Sequence, residues 1–90
     1  MRTIERTTRF KKDYKREVKT DTTLDDVLIQ VIDLLVTDAD LPENFRDHPL
    51  TGNWKGYRDC HVKPDLVLIY GRTDEVLSLV RLGSHSELFG

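Results

Sequence analysis

Cysteine, tryptophan and methionine each occur once in these 90 residues and proline three times, and no apolar run approaches the ~20 residues of a membrane-spanning helix. Lone Cys60 has no internal partner, so a disulfide framework is excluded and a reducing compartment is expected. The opening MRTIERTTRF lacks the apolar region of a signal peptide, which makes the cytoplasm the expected location. Repeats and low-complexity tracts are absent too. What remains, at 38% hydrophobic and 33% charged, describes a single domain, 1–90, with a small core that a bound partner would stabilise.

A formal net charge of −2 hides a strong segregation. Residues 1–19 carry eight Lys/Arg against three acids, residues 20–47 carry one Arg against eight acids, and residues 48–90 balance five against five. A polyanion can therefore meet a basic face on a slightly acidic protein. Each charge run also reads as the solvated side of a helix.

The β-branched residues between Arg2 and Arg6 predict a short first strand. Thr8 is placed to cap a helix from Arg9 to about Lys19, along which Phe10, Tyr14 and Val18 form a narrow apolar stripe. Thr22 or Thr23 caps a second helix through Val36, with Asp25 and Asp26 in its positively polarised first turn and a wide apolar face of Leu, Ile and Val. Only a few polar residues separate the two, as in an antiparallel hairpin. Pro42 and Pro49 then hold 37–50 irregular. From Gly56 the period becomes two: Tyr57, Asp59 and His61 share one strand face, with Arg58, Cys60 and Val62 on the other. Leu66–Tyr70 and Val76–Leu82 are the next strands, with Leu77, Leu79 and Arg81 at one parity, and the last residues form a docked tail. The expected fold class is α+β: an antiparallel-rich sheet with an N-terminal helical hairpin packed on it, in the order β-α-α-β-β-β.

His48, His61 and His85 fall in a loop, on a strand and just past a strand end, backbones that a compact sheet can bring together at one edge. Histidine suits proton transfer near neutral pH, although any one of them also reads as a structural residue. Asp59 shares a face with His61, and Asp65 follows across a tight turn, so either carboxylate can orient the imidazole. Zinc is the competing chemistry. The His spacings are long and irregular and no helical His pair is present, so metal ranks below proton transfer and no cofactor is expected. Cys60 reads as a small buried side chain. Arg81, Lys55, Arg58 and the cationic first helix are candidate phosphate contacts, Arg81 the best placed, while Trp54 and Phe89 can stack on an unpaired base or simply close the core.

DHPLTGNWKGYRDCHVKPDLVLIY with RLGSHSELFG closely resembles the YafQ-like mRNA interferases of the RelE/ParE toxin superfamily, and RFKKDYKR resembles that superfamily's first-helix motif. The resemblance implies a ribosome-dependent ribonuclease that cuts mRNA in the ribosomal A site and is silenced by a cognate antitoxin. It places the catalytic set on His48, Asp59, His61, Asp65 and His85, with Arg81, Phe89 and Trp54 toward substrate. Two other readings remain: a non-catalytic ParE-like toxin that inhibits DNA gyrase, and a binding module whose histidines are structural. Whether the three histidines gather around one pocket discriminates among them.

Overall fold

The computed structural model describes residues 1–90 as a five-stranded mixed sheet with helices on it. In chain order the elements are β1 (Thr3–Arg6), α1 (Thr8–Val18), α2 (Leu24–Leu35), β2 (His48–Pro49), β3 (Arg58–Lys63), β4 (Leu66–Arg72), β5 (Val76–Gly83) and α3 (His85–Phe89). The strands lie side by side as β1-β5-β4-β3-β2. Three hairpin-related neighbours are antiparallel, while β1 runs parallel to β5, Thr3 opposite Val76 and Arg6 opposite Leu79. The α+β class and the helical hairpin are as the sequence predicts.

Alternation along the strands divides the sheet into two unequal faces. Cys60, Leu68, Tyr70, Leu77, Leu79 and Leu82 meet Phe10 of α1 and Leu24, Leu28, Val31 and Leu35 of α2 in the main core. On the reverse face Val67 and Ile69 gather only Leu88, with half-buried Leu50, Trp54, Val80 and Phe89 around them. Helix α1 starts one residue earlier than expected because Thr7, in extended conformation, accepts the Phe10 N–H on its Oγ1 at 3.0 Å.

Three features depart from the sequence reading. A two-residue strand pairs His48 with Asp59 and Pro49 with Arg58 inside the expected irregular connection. The tail is a one-turn helix fixed by a reciprocal cap: Ser84 Oγ accepts from the Glu87 N–H, and Glu87 Oε1 from the Ser84 N–H. A bulge opposite Ile69–Tyr70 breaks the parity of β5: Leu77, Leu79 and Leu82 face the main core, and Arg81, opposite Ile69, leaves it.

Beyond Leu79, strand β5 runs on after β1 has ended, and side chains of the turn and helix that follow take over the pairing. Thr7 donates its N–H to the Leu79 carbonyl and its hydroxyl to the Val80 carbonyl; Asp13 accepts the Leu82 N–H at 3.0 Å, and Arg16 donates to the Leu82 carbonyl at 3.2 Å.

Candidate functional site

Register sets the site. His48, Asp59, Ile69 and Arg81 are successive cross-strand neighbours and form one row over four strands; His61, Val67 and Gly83 form the next, with His85 two residues beyond. Asp59 sits at the centre. It is 1% exposed, and its carboxyl feels the charges of His48, His61 and His85 together. Burial raises its pKa above the ordinary value; the three imidazoles pull it back and Asp47 pushes it further up.

The ring of His48 is anchored at Nδ1, which lies 2.9 Å from the Arg46 carbonyl and 2.9 Å from Asp59 Oδ1. One N–H cannot serve two acceptors well. The carbonyl takes it, and Asp59 Oδ1 is left buried without a hydrogen bond. Arg46 presents that carbonyl from the left-handed region, at φ 51° and ψ 42°, a conformation costing a non-glycine residue about 1–2 kcal/mol. Asp47, next along, is clamped from the core side: Tyr70 donates its hydroxyl to Oδ1, and Arg58 reaches both oxygens at 3.2 and 3.3 Å. Burial, and then the bond to Asp47, push the Tyr70 phenol well up, so it remains a donor. The Asp47 carboxylate thus adds a side-chain tie to the backbone pairing of β2 with β3.

His61 repeats the anchoring on a smaller scale, with Nδ1 3.4 Å from the Pro64 carbonyl. A carbonyl only accepts, so in each neutral ring Nδ1 carries the proton and Nε2 keeps its lone pair. Asp65, on the turn beside it, is exposed and bonded to no imidazole. Neither carboxylate is hydrogen-bonded to His61: the pairing of β2 with β3 sets Asp59 against His48 instead. His61 also borders a shallow pocket of about 300 Å³ formed with Phe45, Arg46, Lys63 and Pro64.

His85 opens α3 and its ring lies 4.8 Å from that of Phe89, tilted by 49°. Phe89 and Trp54 each rest on the small reverse-face core, and Trp54 meets the Tyr57 ring edge-on at 6.0 Å. Arg81 is not free: its Nε and Nη2 lie 2.7 and 3.4 Å from the two oxygens of Asp13. Arg58 belongs to the Asp47 clamp. Cys60 is fully buried in the main core and its thiol is pushed up by that burial. No group of three or more His, Cys, Asp or Glu side chains is arranged to hold a metal ion, and no helix is long and apolar enough to cross a membrane.

Asp13, Asp47, Tyr70 and Arg46 went unnoticed in the sequence. Asp13 alone left a signal, being an acid three residues after Phe10 on the apolar stripe of a mostly basic helix.

Residues 2–90 match the family described as the bacterial toxin YafQ of type II toxin-antitoxin systems. The chain is 42% identical, over 99% of its length and 97% of the relative's, to the mRNA interferase toxin YafQ of Escherichia coli K12. Among solved structures it is similar to E. coli YafQ in its complex with DinJ, at 42% identity, full coverage of both chains and a TM-score of 0.84. A metal-bound toxin from Helicobacter pylori is 47% identical, with 99% of this chain and 100% of that one covered and a TM-score of 0.90.

Proposed function

The chain belongs to the YafQ family of bacterial toxins from type II toxin-antitoxin systems, and on that premise we propose that it is a ribosome-dependent mRNA endoribonuclease. It cuts A-site mRNA by acid–base catalysis without a metal and is held inactive by a cognate antitoxin, as the existence of a DinJ complex of its E. coli relative supports. The observation that carries the reading is the cross-strand register that sets His48 against buried Asp59, with His61 in the next row and His85 two residues beyond that row's end.

The ribose 2′-OH attacks the adjacent phosphorus, the bond to the 5′-oxygen breaks, and a 2′,3′-cyclic phosphate and a 5′-hydroxyl result. His61 Nε2 takes the 2′-OH proton, with the exposed Asp65 beside it as the second candidate base. His85 gives a proton to the departing 5′-oxygen. His48 and Arg81 hold the phosphate oxygens while charge builds on them, Asp59 orients His48, and Phe89 and Trp54 pack against the exposed base. Proton transfer by these side chains accounts for both bond changes, and no step is routed through a metal. The ribosome supplies substrate alignment, so the isolated toxin is nearly inert on free RNA.

The test is cleavage of an mRNA in a purified translation system, with and without ribosomes, by the wild type and the His61→Ala and His85→Ala variants. Cleavage that needs ribosomes and falls roughly 10²-fold or more in variants that still fold and bind ribosomes is expected. A well-folded wild type that cleaves under neither condition would refute the nuclease reading and make gyrase inhibition the next assay.

A further inference from the structure

The first-helix motif RFKKDYKR contains an acid to which the nuclease reading gives no task. Asp13 is 2% exposed and, with Asp59, one of two buried charged residues in the chain. Its carboxylate is saturated. Oδ2 accepts from Arg81 Nε at 2.7 Å and the Leu82 N–H at 3.0 Å, and Oδ1 from Arg81 Nη2 at 3.4 Å and Arg16 Nη1 at 3.3 Å. Burial alone would raise its pKa, but these donors and the two guanidinium charges outweigh it and hold the carboxyl below the ordinary range.

Closing the β5 edge requires only an acceptor for the Leu82 N–H. Asp13 in addition takes two of the three guanidinium nitrogens of Arg81, whose side chain is 13% exposed, and Nη1 alone makes no hydrogen bond. A fork held along one edge presents its other edge in a fixed direction. The same device reaches the other end of the site. Arg16 Nη2 lies 3.4 Å from Glu87 Oε2, and Glu87 completes the cap of α3, the helix that begins with His85 and ends with Phe89. Gly83 makes room for it, since a Cβ there would lie 3.3 Å from Arg16 Nη2 and 3.4 Å from Leu88 Cδ2.

We propose that Asp13 is a positioning residue of the nuclease site: by occupying the Nε–Nη2 edge of Arg81 it aims Nη1 at the reacting phosphate, and through Arg16 and Glu87 it registers that guanidinium against the helix bearing His85. This rests on the nuclease reading above. It gives the basic helix a role distinct from RNA attraction.

The test is a double-mutant cycle in ribosome-programmed cleavage: wild type, Asp13→Asn, Arg81→Ala and the double variant, with kcat and KM read separately and thermal melts of each. Asp13→Asn is expected to lower kcat roughly 10²-fold, the scale of a misplaced catalytic group, with KM within about twofold. Arg81→Ala is expected to lose at least as much, and the double variant no more than Arg81→Ala alone. Additive losses, or wild-type rates in Asp13→Asn, would overturn the proposal. If Asp13→Asn does not fold, Asp13→Glu keeps the charge and displaces the fork by one methylene; an unchanged kcat in it would overturn the proposal, and a loss of about tenfold or more would support it. Side-chain 15N NMR of the Arg81 Nε–H is independent of activity: a protected signal in the wild type that is lost in Asp13→Ala, which leaves no acceptor, is expected, and an unchanged one refutes the pinning. A silent wild type overturns the nuclease reading and this one together, whereas an active wild type with additive losses overturns this one alone.

Discussion

Replacing Asp59 with asparagine is expected to make the protein more stable and less active at once. The carboxyl is buried, Oδ1 has no hydrogen bond, and burial lifts its pKa above the ordinary 3.8 in spite of three surrounding imidazoles. A carboxyl whose pKa rises on folding binds its proton more tightly in the folded state. The stability it contributes is complete below the unfolded value and is lost as pH rises through the folded one. At neutral pH the ionised side chain is therefore a net burden on the fold. An amide of the same shape removes the buried charge, whose cost at neutral pH is about 1–2 kcal/mol. In a domain of this size each kcal/mol moves Tm by about 4–8 °C. Melts of both proteins from pH 4 to pH 8 should give a gap that is widest at pH 8 and narrows toward pH 4, while ribosome-programmed cleavage falls roughly tenfold or more because His48 has lost its charged neighbour. A variant that is less stable at pH 7, or a gap that does not change with pH, would refute the reasoning.

Two further substitutions separate support from chemistry. Tyr70→Phe removes the hydroxyl that holds Asp47 and should cost about 1–2 kcal/mol in urea melts, with faster amide exchange at residues 46–48; unchanged exchange there would mean that Arg58 alone suffices. Ser84→Ala removes one arm of the α3 cap, worth about 1 kcal/mol locally. Protection of the Glu87 amide and kcat should fall together while the global Tm hardly moves, since α3 is terminal; a lower Tm with kcat intact would show that the cap serves the fold rather than His85.

Much of this was legible in the chain because long elements announce themselves by period. The Leu and Val stripe of α2 and the alternation of Asp59–Val62 place the main core and put Asp59 and His61 on the opposite face. What stayed hidden is short or non-local. Two residues of β2 have no period, so the pairing of His48 with Asp59 could not be read. The bulge at Val80–Arg81 shifts parity without changing composition, which is why Leu82, not Arg81, joins Leu77 and Leu79. The contacts of Asp13 with Arg81 and of Asp47 with Tyr70 join residues 68 and 23 apart in sequence, and a lone acid on an apolar stripe is the only trace either leaves.

The relay from β1 to α1 along β5 also bears on how so small a sheet survives on its own. A row of open backbone donors and acceptors is a template on which a second molecule can add, and the hazard grows with the length of the row. Here the exposed margins are a four-residue strand ending in Glu5 and Arg6 and a two-residue strand ending at a proline, while the longest strand has its outer side occupied by threonine, aspartate and arginine side chains. The backbone edges of the free toxin therefore offer little for a second copy to zip onto.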